Sequence, residues 1–194
     1  MKRKIAILLM AIMILAPVMQ DVSAAKTVFI TSDNIVDHDT TICANWNSVV
    51  QPEDDVYILG DLMLNDDRRA LNMLKCLNGR KHIILGNHDT PMRVRAYVAE
   101  GICVEEPKWA DMIHYKGYHF FLSHFPSMTA NLEKESLKQV TINLFGNTHQ
   151  NKKFYNDIPF MFHVGMDSNN NTPVLLDDII EMCKQKVIEC KEML

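Results

Sequence analysis

Short apolar, β-rich runs that stop abruptly in polar clusters recur along this chain, and that punctuation limits its fold more than any other feature. Residues 27–31 (TVFIT) end in Ser32-Asp33, residues 56–59 (VYIL) in Gly60-Asp61, and residues 82–85 (HIIL) in Gly86-Asn87-His88-Asp89. Further on, residues 118–122 enter Ser123-His124-Phe125-Pro126, residues 142–145 enter Gly146-Asn147-Thr148-His149, and residues 160–164 enter Gly165-Met166-Asp167. Apolar runs of about four to eight residues bounded by turn signals read as buried strands. Residues 68–77 instead place Leu71, Leu74 and Leu77 on one helical face and close on Asn78-Gly79, a helix stop. Lys116-Gly117 predicts the turn of a β-hairpin, residues 176–193 predict a terminal amphipathic helix, and residues 33–45, 90–107 and 127–139 read as loops. The alternation of strands with helical patterns is that of an α/β protein.

The chain has 194 residues, 47% hydrophobic and 23% charged, enough for one well-buried domain and too few for two large ones. Its net charge of -4 and the lack of a Lys/Arg-rich block leave no nucleic-acid-binding signature, while a small phosphorylated substrate stays compatible. Lys2, Arg3 and Lys4 precede an apolar run over 5–19, and Val22-Ser23-Ala24 supplies small residues for cleavage. Residues 1–24 therefore read as a secretory signal peptide, residues 25–194 as the domain, and the location as secreted or extracytoplasmic. The apolar run falls short of the about 20 residues of a spanning helix, so membrane contact arises only if this segment stays uncleaved as an anchor; a buried helix is the third reading. Five cysteines without a C-x-x-C pair argue against a zinc ribbon and against a dense disulfide framework. Cys183 and Cys190 on one helix would be separated by about 10 Å of rise, too far for a bridge, so at most two bridges could form.

Strand ends of an α/β sheet are where convergent polar groups meet a ligand, and glycine lets the backbone turn tightly there. Asp, Asn and His together form a mixed oxygen and nitrogen donor set suited to Mn, Fe or Zn, and shared carboxylates suit a two-metal centre. Two ions about 3.5 to 4 Å apart can hold both the attacking hydroxide and the phosphate oxygens of an in-line displacement. That chemistry is phosphate-ester hydrolysis.

The ordered set Ser32-Asp33, Asn45-Trp46-Asn47, Tyr57-Ile58-Leu59-Gly60-Asp61, Leu85-Gly86-Asn87-His88-Asp89, Leu122-Ser123-His124-Phe125-Pro126, Gly146-Asn147-Thr148-His149 and Val164-Gly165-Met166-Asp167 resembles the calcineurin-like metallophosphoesterases, specifically their small bacterial and phage members. The resemblance implies a four-layer α-β-β-α sandwich of two mixed sheets flanked by helices, with two divalent metal ions at the strand ends, Mn first and Fe, Zn or Mg as alternatives. It implies that Asp61 bridges the two ions, that Asp33 and His149 sit on the first, and that Asn87 and His124 sit on the second. His88 would be the general acid beside them, able as an imidazolium to protonate a leaving alkoxide. Asp89 would support the loop without being a ligand.

Two positions depart from the family pattern. Asp33 is followed by Asn34 and Ile35 where the family has Asp-x-His, and Asn147 stands where its Gly-His-x-His motif has a metal-binding His. Each ion thereby loses an imidazole, although the Asn147 carbonyl oxygen can serve as a further donor and neutral oxygens favour harder ions such as Mn or Mg. His38, between Asp37 and Asp39, either folds back as a replacement ligand or belongs to a solvated acidic loop. His82, His114 and His119 read as structural or surface residues, and His163 as structural or at the site edge. Two functions follow from the set: a metal-dependent hydrolase of phosphate monoesters or diesters, or a catalytically impaired relative that binds a phosphorylated ligand or a protein partner.

Overall fold

The computed structural model describes residues 20–21, 27–32, 39–63, 67–129, 136–149 and 151–192. The cleavage site, Asp33, Ile35 and His38 lie outside the described residues. In chain order the elements are β1 (Gln20–Asp21), β2 (Val28–Thr31), α1 (Asp39–Val49), β3 (Asp55–Leu59), α2 (Asp67–Cys76), β4 (Arg80–Ile84), α3 (Pro91–Ala99), β5 (Ala110–Tyr115), β6 (Tyr118–Ser123), β7 (Thr141–Phe145), β8 (Met161–His163), β9 (Val174–Leu175) and α4 (Leu176–Glu192). The protein is an α/β sandwich of two mixed sheets flanked by helices. One sheet has the order β4-β3-β2-β9, parallel except for β9; the other has the order β1-β5-β6-β7-β8, parallel except at the β5–β6 hairpin.

Alternation along each strand builds the layers. In β2 and β3, Val28, Ile30, Tyr57 and Leu59 point to the same side and meet Ile113, Phe120, Leu122, Ile142 and Leu144 of the opposite sheet. The intervening residues Phe29, Val56 and Ile58 point the other way, against Ile42, Trp46 and Val50 of the α1 region and Ala70, Met73 and Leu74 of α2. Both faces of this sheet are therefore covered, which is why its strands are continuous apolar runs. Helix α4 presents Leu176, Ile179, Ile180 and Cys183 to the core between the sheets and touches β2 and β9. At the β5–β6 hairpin, Lys116 and Gly117 both have positive φ (49° and 81°), the pair of left-handed residues that matches strand twist in a two-residue turn.

Several expectations change in detail. Two stretches read as loops contain helices, α1 and α3. In α1, Ile42 and Trp46 bury one face four residues apart, and Val50 continues it just past the helix end; its Asn and Thr content hides this from propensity alone. Helix α3 opens with the Thr90 hydroxyl accepting from the Arg93 amide and Pro91 in the first turn, a start signal of caps and proline. All five cysteines are free thiols, so the fold rests on its two apolar cores. Among the described residues no helix is long and apolar enough to cross a membrane.

Trp46 ties the helical layer down. It is fully buried, and its indole N–H donates to the Asn78 carbonyl at 2.9 Å. Trp46→Ala empties the largest side-chain site in that core and orphans a carbonyl, so it is expected to cost about 3 to 5 kcal/mol, seen as a lower denaturant midpoint at unchanged slope.

Candidate metal centre

Strand β3 ends at Leu59, and the chain then turns through two consecutive residues of positive φ, Gly60 (87°) and Asp61 (53°). A Cβ on Gly60 would stand 2.5 Å from His124 Nδ1 and 2.7 Å from the Gly86 Cα. One on Gly86 would collide with Asp61 Oδ1. The two glycines thus let the ends of β3 and β4 approach until Asp61 and His124 share one small volume, and both side chains are almost wholly buried.

His124 follows β6, and its Nδ1–H donates to the Leu59 carbonyl at 2.8 Å, a carbonyl that also accepts from the Ser32 hydroxyl at 2.9 Å. This bond fixes the tautomer and leaves the Nε2 lone pair pointing away, the usual support of a metal-binding imidazole. Around Nε2 stand three oxygens: Asn87 Oδ1 at 2.9 Å, Asn147 Oδ1 at 3.1 Å and Asp61 Oδ2 at 3.3 Å. One ring proton could serve at most one of three acceptors well. A cation at their centre would serve all four atoms. A divalent ion with bonds of about 2.1 Å holds neighbouring donors about 3.0 Å apart in an octahedron and about 3.4 Å apart in a tetrahedron, and the Nε2-to-oxygen spacings of 2.9, 3.1 and 3.3 Å lie close to those values. The residues present therefore fit a divalent ion, with three oxygens and one nitrogen. Among the described residues no three His, Cys, Asp or Glu side chains converge on one point, because two of the four donors are amides.

Burial pushes the Asp61 carboxyl up, but the adjoining His124 ring and the hydrogen bond from the His88 amide outweigh it and hold it below the ordinary carboxylate range. Its Oδ1 accepts that amide at 2.9 Å, so its two oxygens do different work: one anchors the loop after β4 and the other faces Nε2. Asp89 is also buried and turns the opposite way. Its Oδ2 accepts from the Asp61 amide (3.0 Å) and the Gly86 amide (2.8 Å), and its Oδ1 accepts from the Tyr97 hydroxyl at 2.7 Å. It is the hub of the turn and stands off the donor cluster.

His88 is exposed beside Asp61, and its carbonyl accepts from Arg93 at 2.9 Å. Arg93 also donates to the Met63 carbonyl, tying the loop after β3 to the loop after β4. Of the residues singled out from the sequence, the structure brings together Asp61, Asn87, His124 and Asn147, with His88 at their edge. His149 is exposed on the loop after β7, with positive φ like Asn147 two residues earlier. Asp33 lies outside the described residues. His163 is buried, held by Ser168 at 3.0 Å and packed on Phe145. His82 bridges Asp55 (3.0 Å) and Glu105 (2.9 Å), and His114 stacks on His119. Sequence reasoning misses the Leu59 carbonyl, Tyr97 and Arg93. Only the spacing of Tyr97 from Asp89 and of Arg93 from His88 across a helix start could have suggested the last two.

The fold and the cluster define a class: an α/β sandwich with mixed oxygen and nitrogen donors gathered at its strand ends. The chain belongs to the same family as the uncharacterized protein MJ1445 of Methanocaldococcus jannaschii, with 30% identity over 167 residues covering 80% of this chain and 81% of that one. The solved protein of unknown function AQ665 from Aquifex aeolicus shares the fold at a TM-score of 0.62, with 22% identity, covering 81% of this chain and 99% of that chain. A solved archaeal phosphodiesterase is similar at a TM-score of 0.47, with 18% identity, over 72% of this chain and 82% of that chain. No family model matches the chain.

Gly86→Ala tests the close approach. The added methyl must displace Asp61, and overpacking of this kind costs about 1 to 3 kcal/mol. The variant is expected to stay folded while its Mn affinity, measured by calorimetric titration, falls by about 10- to 100-fold, as when the support of a metal ligand is disturbed.

Proposed function

We propose that this protein is a metal-dependent hydrolase of phosphate esters with a dinuclear centre. The observation that supports this reading most is the imidazole of His124, fixed from behind by the Leu59 carbonyl and facing three oxygens. In this reading Asp61 is the bridge, Asn87, His124 and Asn147 hold the second ion, and Asp33 and His149 hold the first. Bound divalent ions would supply an activated hydroxide and neutralise the phosphate oxygens during in-line displacement. Asp61 contributes a carboxylate that stays ionised at neutral pH. In this reading His88, exposed beside Asp61 with its amide and carbonyl both hydrogen-bonded, is the general acid that gives a proton to the leaving alkoxide. Mn is the ion best matched to three oxygens and one nitrogen, with Fe, Zn or Mg as alternatives. The substrate is a small phosphorylated molecule, and an exported location follows from the N-terminal segment.

One observation favours a second reading, a protein that binds a phosphorylated ligand without turnover: two of the four donors are neutral amides, weaker ligands than the imidazole and carboxylates that catalytic centres use.

The two readings part in one experiment. Purified protein supplied with Mn is expected to hydrolyse an aryl phosphate monoester or diester, and Asp61→Ala is expected to lose bound metal and all activity together. Activity that survives Asp61→Ala rules out the bridge; metal and phosphate binding without turnover in the wild type favours the binder. His88→Ala is expected to keep its metal content and lose about 10² to 10⁴ in turnover, the range for general acid catalysis. Loss of metal in that variant would make His88 a ligand instead.

A further inference from the structure

Immediately after the buried His124, the chain throws an aromatic ring outward. Phe125 is 47% exposed, and Met128 three residues later is 67% exposed. Single exposed apolar residues are ordinary, but this one sits on a turn fixed by a buried hydrogen-bond network. The Phe125 carbonyl accepts from the Ser123 hydroxyl at 2.8 Å and from the Ser127 hydroxyl at 3.1 Å. Behind them, fully buried Asn143 of β7 accepts the Ser127 amide at 2.7 Å and donates to the Ser123 hydroxyl at 2.9 Å and to the Phe121 carbonyl at 3.2 Å. A buried amide inside a sheet thus organises the turn from 123 to 127, and what the turn presents is the Phe125 ring. That ring packs edge-to-face on the His124 imidazole, with centroids 5.0 Å apart and planes at 76°, so it borders the donor cluster directly.

We infer that Phe125 is an aromatic platform that selects phosphate esters whose leaving group is itself aromatic. This rests on the reading that the cluster binds the phosphoryl group. In that reading a phosphate would be held through divalent ions on His124, Asp61 and the two asparagines, and an ester substituent extending from them toward solvent would meet the exposed ring beside His124. Aromatic pairs form at centroid separations of about 4.5 to 7 Å and gain free energy beyond simple area burial. Met128 adds a polarizable apolar neighbour suited to the same kind of ring.

The test compares benzyl phosphate with cyclohexylmethyl phosphate, and the methyl diesters of each, because the paired alcohols are alike in size and leaving-group character and differ in aromaticity. With Mn, the wild type is expected to prefer the benzyl ester by about three- to tenfold in kcat/KM. In Phe125→Ala the ratio should fall to about one, and in Phe125→Trp it should be kept. Since each ratio compares two ligands on one protein, a change in metal content cancels. Equal loss on both esters, with the ratio unchanged in Phe125→Ala, overturns the platform. Calorimetric binding of benzylphosphonate and cyclohexylmethylphosphonate, which cannot be hydrolysed, gives the same ratio without turnover. Preference in binding with no hydrolysis of any ester overturns the hydrolase reading and supports the platform. Equal binding of the two phosphonates by the wild type, or binding of neither, overturns the platform.

Discussion

The ends of β3 and β4 come so close that neither Gly60 nor Gly86 can carry a Cβ, and the candidate site depends on that approach. At Gly60 the forbidden volume is occupied by the His124 ring and the Gly86 backbone; at Gly86 it is occupied by the Asp61 carboxylate. A strand end with ordinary residues would hold the three chain segments apart by at least a methyl radius. The imidazole would then lose the Leu59 carbonyl that orients it, and the Asp61 carboxylate would lose the amide of His88. Asp89 reinforces the approach from the other side by accepting the amides of both turns with one oxygen. Two amides, one carboxylate and one hydroxyl are thereby spent on holding two loops together, a burial of charge that is tolerable because both carboxylate oxygens have donors.

Two buried histidines show how the same residue is given different work by its partners. His82, on β4, has a carboxylate at each ring nitrogen, Asp55 at one and Glu105 at the other, and its ring stacks on Tyr57 with centroids 4.5 Å apart. Both of its nitrogens are matched to acceptors, so it fastens the sheet to the chain before β5. His124 has one nitrogen matched to a carbonyl and the other facing several oxygens. Electrostatically the first arrangement is closed, and the second calls for a positive charge. The candidate site therefore gathers residues from the C-terminal ends of β3, β4, β6 and β7.

Three oxygens surround His124 Nε2, and the two amides among them come from loops after parallel strands, β4 and β7. Asn147 reaches it from a left-handed backbone conformation that asparagine tolerates better than most residues. The backbone of the loop carries the position, and the amide side chain touches the His124 ring nitrogen.

Most of the fold was legible in the order of residues, because the signals are local. Apolar runs broken by glycine and polar residues mark strand ends wherever they occur, and the strands near residues 56–59, 82–85, 118–122 and 142–145 are found there within a residue or two. Helices α1 and α3 escaped because their helical faces carry few apolar residues, and Trp46 and Tyr97 reveal their burial only against a sheet. For the site, the donor types at the strand ends could be read from the sequence, since Asp, Asn and His after glycine already imply ligand chemistry. Which of them meet could not. Asp61, Asn87, His124 and Asn147 are distant in the chain and are joined only when parallel strands bring their ends to one edge. The identity of each hydrogen-bond partner, down to the Leu59 carbonyl behind His124, is a property of that three-dimensional approach, because a backbone carbonyl carries no mark in the sequence of what will bind it.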